Sequence, residues 1–275
     1  MKQSSALWQE VDCLICPHCG QALRRMENSL RCVNNHSFDL AKQGYVNLAP
    51  QCKASENYSR ERFRARRDIL EKGYYSHILR VIQERIDGLG IRSLLDAGCG
   101  EGYYSRHIRC AQKLACDLSK DAVLLAAKAD ESTHYFVGDI AKLPLTDGAV
   151  DAVLDVFSPA HYGEFVRVAR PGWLIKLVPG TQHLQELRAL LPRLRDPEQE
   201  AGKAAAELFC RRYPGLWQAT LSCSYALPKE DLLAFARMTP LFFHVDLETL
   251  ELDSIAQLTI EARMLVAKIT ESKGS

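Results

Sequence analysis

From Arg92 onward, short apolar runs alternate with stretches whose apolar residues recur at helical spacing. The runs Ser93–Ala97, Lys113–Asp117, Tyr135–Val137, Ala152–Val156 and Trp173–Val178 read as strands. Helices are expected from Tyr104, over Lys120–Ala129 and around Glu164–Val168. This alternation predicts right-handed βαβ crossovers and a mainly parallel sheet, an α/β fold whose ligand crevice lies at the strand carboxyl ends. The front of the chain follows no such rhythm. Polar, cysteine-bearing segments lead into Arg60-Glu61-Arg62-Phe63-Arg64-Ala65-Arg66-Arg67, which opens a helix running on through Ile69 and Leu70.

Composition sharpens this division. With 275 residues, 47% of them hydrophobic, the chain can build one full α/β domain and leave roughly 70 to 90 residues for a smaller unit. Residues 1–85 carry 14 Lys and Arg against 9 Asp and Glu, a balance of +5 that leaves −4 for the remainder. That asymmetry suits a polyanionic partner read by the front unit, although a solvated charged surface gives the same count. No apolar run approaches the roughly 18 residues needed to span a bilayer, and Met1–Glu10 lacks a signal-peptide pattern, so a soluble cytoplasmic protein is expected. In that setting ten cysteines are expected to be reduced, buried or metal-bound.

Four of the front residues have metal-ligand spacing. Cys16-Pro17-His18-Cys19 and, twelve residues later, Cys32 to His36 form C-x2-C-x12-C-x3-H, two short knuckles around one point. Three thiolates and an imidazole suit tetrahedral zinc, and four protein ligands leave no open position, so the metal would be structural. Cys13 and His18 compete for places in that set. Arg60, Arg64 and Arg67 fall at i, i+4 and i+7, one helix face that could contact phosphates or simply face solvent beside Glu61 and Asp68.

At the end of the first predicted strand stand glycines 98, 100 and 102, spaced G-x-G-x-G, with Glu101 inside the loop. Missing Cβ atoms let backbone approach a ligand closely, while the acid disfavours a pyrophosphate and suits a cationic sulfonium. The stretch Leu94–Gly102 resembles motif I of class I S-adenosylmethionine-dependent methyltransferases. Asp96 is then expected to orient the loop or the methionine moiety, Asp117 to accept the ribose hydroxyls, and Asp139 to accept from the adenine amino group. The fourth strand runs into Asp155-Val156-Phe157-Ser158-Pro159, where such enzymes hold the target. Phe157 could stack a base, and Asp155 is either a candidate general base or a buried strand carboxylate.

Taken together, C-P-x-C…C-x3-H, F-D-x-A-K-x-G-Y-V-N-L at 38–48, A-R-R-x-x-L at 65–70, G-x-Y ending at Tyr75, L-D-x-G-C-G-E-G-Y-Y at 95–104, D-x-S-K at 117–120, P-G-x-x-H-L at 179–184 and M-T-P at 238–240 resemble the bacterial 23S rRNA (guanine-N1)-methyltransferase family, which includes macrolide-resistance relatives. The resemblance implies zinc at Cys16, Cys19, Cys32 and His36. It also implies cofactor contacts from Tyr75, Gly100, Glu101, Gly102 and His183, beside Asp96, Gly98, Asp117 and Asp139. It further implies a homodimer with an RNA-binding cleft for a 23S rRNA hairpin. The corresponding organisation is a zinc-binding RNA-recognition module over 1–50, a linker and basic helical segment over 51–90, and a Rossmann-like methyltransferase domain over 91–275. Two departures stand out: Arg170-Pro171-Gly172 lacks a second glycine, and Phe157-Ser158-Pro159 replaces tyrosine-alanine-proline.

The expected reaction is in-line methyl transfer to guanine N1. That nitrogen carries a proton in the neutral base, so either a base such as Asp139 or Asp155 removes it or a donor to O6 stabilises the enolate form. The guanine must be unpaired or flipped, then stacked on Phe157 or Tyr104. Two other readings remain: a small-molecule, quinone-type methyltransferase with a structural zinc module, and an RNA-binding protein with a vestigial cofactor site.

Overall fold

The computed structural model describes Trp8 and residues 11–52, 60–191 and 197–269. Met1–Glu10, apart from Trp8, and most of the polar stretch between Cys52 and Ser59 lie outside the described residues. Three short strands, β1 (Arg24–Met26), β2 (Ser29–Arg31) and β3 (Ser37–Asp39), form an antiparallel sheet in that order. They are too short to support a core of their own. Instead Leu14, Leu23, Leu30 and Phe38 share one apolar cluster with Phe136, Leu143 and Leu145 of the rest of the molecule.

Next come β4 (Val46–Asn47), α1 (Arg60–Glu71), α2 (Ser76–Gly88), β5 (Ser93–Ala97), α3 (Tyr103–His107), β6 (Gln112–Asp117), α4 (Lys120–Ala129) and β7 (His134–Val137). The chain continues through β8 (Ala152–Val156), α5 (Tyr162–Val168), β9 (Gly172–Pro179), α6 (Gln185–Ala189), α7 (Pro197–Arg212), β10 (Trp217–Tyr225), α8 (Lys229–Met238) and β11 (Leu258–Ile269). The eight-stranded sheet runs β10-β11-β9-β8-β5-β6-β7-β4. Strands β4 to β9 within it pair in parallel, while β11 is antiparallel to both β9 and β10.

The predicted strands and helices from Ser93 to Val178 all form, several starting one or two residues earlier than the pattern suggested. Central strands such as β5 and β8 are buried on both faces, which is why they are mostly apolar without alternation, Asp96 and Asp155 being buried exceptions. Helix α2 places Ile78, Ile82 and Ile86 at i, i+4 and i+8 against Leu94, Leu154, Ile175 and Met264. Each such isoleucine contributes roughly 1.5–3 kcal/mol of burial. The segment 60–88 is therefore a helical layer of the α/β fold. Likewise β4, which follows the small sheet, is an edge strand of the large one, Val46 and Asn47 pairing with Phe136 and Val137.

Candidate active site and metal centre

The chain leaves β5 at Ala97 and turns back on itself. Gly98, Gly100 and Gly102 all adopt positive φ, +79°, +57° and +82°, where a side chain is strained. The Gly98 and Cys99 amides donate to the Cys116 carbonyl at 2.8 and 2.9 Å, which pins the loop across the end of β6. The Gly100 amide donates to Asp117 Oδ2 at 2.9 Å and the Ser119 amide to Oδ1 at 2.8 Å. Burial pushes the Asp117 carboxyl up, and these two amides oppose that shift. Each Asp117 oxygen keeps a second lone pair, and the residue lines the cavity, so the carboxylate can receive two ligand hydroxyls.

That cavity, about 470 Å³, is lined at this end by Gly98, Gly100, Asp117, Gly138 and Asp139. Asp139 opens the loop after β7 and holds it by accepting the Ala141 amide at 2.9 Å. The opposite wall is aromatic. Phe157 and His183 stack at 5.7 Å, and Tyr75, which precedes α2, meets both rings edge-on at 6.3 and 6.2 Å. The Glu261 amide donates to His183 Nδ1 at 3.2 Å, so the neutral ring carries its proton on Nε2. Burial, reinforced by Arg188, Arg66 and His77, lowers the His183 pKa to about 3 and keeps that tautomer neutral. Burial also raises the Tyr75 phenol, keeping it protonated.

Of the predicted cofactor residues, Tyr75, Gly98, Gly100, Asp117, Asp139 and His183 meet around this cavity, and Phe157 lines it with Ser158 and Pro159. Asp96, Glu101 and Gly102 are not among its lining residues. Glu101 is turned away: Arg67 and Arg106 approach Oε2 at 3.2 and 3.5 Å, while Oε1 accepts the Tyr103 amide at 3.1 Å. Its charge therefore clamps the loop to α1 and α3, and the sulfonium argument built on it falls. Asp96 accepts the Ser105 hydroxyl beneath the loop, with burial pushing its pKa up to about 6. At Gly102 the constraint is packing, since a Cβ would lie 2.7 Å from Ala126 Cβ.

Asp155 is corrected as a general base. It is buried in the sheet, paired with Lys176 Nζ at 2.8 Å, and does not line the cavity. Burial pushes its pKa up to about 7 against the pull of Lys176. The same ammonium donates to the Ser158 carbonyl, tying the pair to the segment that carries Phe157. Tyr104, the other proposed stacking ring, is likewise buried and outside the lining residues. The phosphate-facing strip on α1 is also reduced. Arg60 is held by Asp121 and Arg67 by Glu101, which leaves Arg64 exposed.

Sequence reasoning missed the roof and the second charge of the cavity. Phe63, Arg66 and Leu70 reach it from α1, Met238, Thr239 and Pro240 from the end of α8, and Arg188 from α6. The A-R-R-x-x-L and M-T-P stretches contained most of these residues, yet nothing in their spacing joined segments so far apart.

In the front unit, ligand atoms of Cys16, Cys19, Cys32 and His36 lie within 4.8 Å of one another. His36 Nδ1 is 3.5 Å from Cys16 Sγ and 3.4 Å from Cys32 Sγ. The Gln21 amide is the main influence lowering the Cys19 thiol to about 6, toward the thiolate a metal requires. Cys13 and His18 fall outside the group, His18 instead stacking on Phe38 at 5.6 Å. Gly20 and Asn35, at φ +71° and +61°, turn the two knuckles inward. The donor set fits tetrahedral zinc closed to solvent ligands.

Two family models match the chain. The zinc ribbon described as RlmA, N-terminal, covers residues 14–56, and the methyltransferase domain covers 95–174. Fold, loop and carboxylates thus belong to an S-adenosylmethionine-dependent methyltransferase that carries a structural zinc ribbon. The 23S rRNA (guanine(748)-N(1))-methyltransferase of Streptomyces fradiae is 32% identical, over 93% of this chain and 96% of its own. A putative 23S rRNA (guanine-N(1)-)-methyltransferase of Bacillus subtilis is 30% identical over 91% and 95%. The chain belongs to this 23S rRNA (guanine-N1)-methyltransferase family. By contrast, the malonyl-[acyl-carrier protein] O-methyltransferase of Serratia marcescens, 38% identical, matches only 35% of the chain.

Proposed function

We propose that the protein transfers the methyl group of S-adenosylmethionine to N1 of a guanine in a 23S rRNA hairpin. One observation carries this reading. The zinc ribbon shares its apolar core with β7 and the segment that follows it, and the chain leaves the ribbon into β4, which pairs with β7, the strand leading to Asp139 at the cofactor cavity. A relative named for a substrate other than rRNA, a malonyl-[acyl-carrier protein], matches only 35% of the chain.

When bound, S-adenosylmethionine supplies an activated methyl group on sulfur. Asp117 accepts the ribose hydroxyls, Asp139 faces the adenine side, and Gly98 and Gly100 let the backbone approach. Tyr75 and His183 close the wall beside Phe157. Phe157, held at φ +53°, presents its ring for stacking by the extruded guanine. Most of the acceleration comes from this positioning. Of the two carboxylates first considered for the N1 proton, Asp155 lies outside the cavity and Asp139 faces the adenine side, which favours stabilisation of the enolate form by a donor to O6.

Zinc held by Cys16, Cys19, Cys32 and His36 orders the ribbon, whose Arg24, Arg25 and Arg31 supply cations for the hairpin backbone. No helix among the described residues is long and apolar enough to cross a membrane, and we place the enzyme in the cytoplasm with its rRNA, acting as a homodimer. The zinc-binding module lies within 1–50, its last strand β4 completing the large sheet, and the basic helical segment within 51–90 packs as a layer of the methyltransferase domain that continues over 91–275. The decisive experiment is radiolabelled methyl transfer to unmodified 23S rRNA followed by primer extension. A cofactor-dependent stop at one guanine is expected, because N1 methylation blocks pairing. Label on small molecules with no stop would refute the reading.

A further inference from the structure

Helix α1 carries a run of arginines, and most of them are spoken for. Arg60 pairs with Asp121, Arg67 pairs with Glu101, and the Arg62 guanidinium lies 3.6 Å from the centre of the Phe243 ring. Arg66 differs. It shares a helix face with Phe63 and Leu70, at i−3 and i+4, and with them it lines the cofactor cavity. Among the described residues it has no hydrogen bond or ion pair. Its charge acts on Asp117, Tyr75, Tyr104 and His183 alike, which places it centrally among the cavity walls.

A guanidinium there lacks a counter-ion. The acids lining the cavity are Asp117, already accepting two backbone amides, and Asp139, already accepting one. The remaining walls are apolar, aromatic or uncharged polar (Ser119, Ser158, Gln199 and Thr239), with Arg188 as a second cation whose terminal nitrogen donates to the Thr181 carbonyl at 2.6 Å. An anionic group on the ligand would give this half-buried guanidinium a direct partner. S-adenosylmethionine has one anionic group, its α-carboxylate, and a guanidinium fork matches a carboxylate in a bidentate arrangement.

Resting on the methyl-transfer reading, we propose that Arg66 is the residue that recognises the cofactor's carboxylate. The cavity is then sorted by charge, with Asp117 and Asp139 taking the nucleoside hydroxyl and amino donors and Arg66 taking the amino-acid end. Helix α1 thereby joins cofactor binding on one face to the exposed Arg64 on another.

The test is calorimetric binding of two probes, S-adenosylmethionine and its decarboxylated analogue, to the full chain. Wild type is expected to prefer the carboxylated probe by about 10- to 100-fold, the range for a charged hydrogen-bonded pair. Arg66→Gln is expected to remove that preference while leaving affinity for the decarboxylated probe unchanged. Arg66→Lys, which keeps charge without the fork, should restore part of it, and Arg188→Met should keep the preference. Equal weakening of both probes by Arg66→Gln, or a preference abolished by Arg188→Met and kept by Arg66→Gln, would overturn the proposal. Wild-type protein that binds neither probe would refute the methyl-transfer reading itself, a different outcome.

Discussion

Replacing each glycine of the 98–102 loop with alanine separates backbone strain, packing and ligand contact. All three have positive φ, so each alanine costs about 1–2 kcal/mol for the left-handed conformation. Their surroundings then diverge. At Gly100 a Cβ meets only Phe63 Cε1, at 3.9 Å, so nothing is added. At Gly98 it would lie 2.0 Å from Ser158 Oγ and 2.6 Å from Ser158 Cβ, and at Gly102 it would lie 2.7 Å from Ala126 Cβ and 2.9 Å from Tyr135 Oη. Overpacking of that kind adds about 1–3 kcal/mol.

At about 2–4 °C per kcal/mol, thermal unfolding of the ligand-free protein should fall by roughly 2–8 °C for Gly100→Ala and 4–20 °C for the other two. Adding Ser158→Gly should recover the packing part of the Gly98→Ala loss and none of the Gly102→Ala loss. Cofactor affinity should follow a different order. Gly100 lines the cavity and Gly102 does not, so Gly100→Ala should lose roughly tenfold or more, equivalent to about 1.4 kcal/mol, despite being the mildest for stability. Calorimetry beside the melting curves decides it. The reasoning fails if Gly100→Ala is the least stable variant, if Gly102→Ala weakens binding more than Gly100→Ala does, or if Ser158→Gly rescues nothing.

Lys176→Met should destabilise the protein by about 3–5 kcal/mol at pH 8 by stranding the Asp155 carboxylate. Because burial raises the Asp155 pKa to about 7 and loss of Lys176 raises it further, denaturant titration should show the deficit shrinking as pH falls toward 7 and levelling off below it, where the acid is neutral with or without the lysine. The His183 pKa is depressed in the folded state, so its contribution is present above pH 6.5 and lost as pH falls toward about 3. His183→Gln should therefore flatten the acid limb of the stability curve by up to about 1.4 kcal/mol per pH unit, and an unchanged limb would contradict the burial argument. Zinc chelation, followed by a colorimetric metal assay, should lower the melting temperature of the whole chain, because Leu14, Leu23 and Phe38 share their core with the large sheet. A ribbon that melts alone at unchanged main transition would show that the shared core contributes little.

What could be read locally was read well. Each zinc knuckle is a few residues long, and its ligands are marked by residue type and spacing, so Cys16, Cys19, Cys32 and His36 stood out before any geometry was known. The parallel strands were equally plain, since strands covered on both faces read as near-continuous apolar runs. Asp117 and Asp139 followed from lying at strand ends, where the α/β topology opens its crevice. Spacing alone left Cys13 and His18 as competing ligands, and folding excluded them by directing His18 onto Phe38.

The direction of a side chain in a loop, and the meeting of distant helices, are not local properties. Glu101 and Gly100 are neighbours in the chain, yet one turns toward Arg67 and the other toward the cavity, because successive residues in a positive-φ turn point to different sides. Asp155 looked like a base at a strand end, and only the register of β8 with β9 revealed Lys176 beside it. The antiparallel β10–β11 pair escaped notice because a long connection holding α8 separates its strands. Arg66 was one arginine among several until α1 packed over the sheet. Composition and spacing determined the metal and the fold class, and the motif resemblance of Leu94–Gly102 the cofactor class. Tertiary packing decided which charges face the ligand, because burial leaves each charge to find a partner in space rather than along the chain.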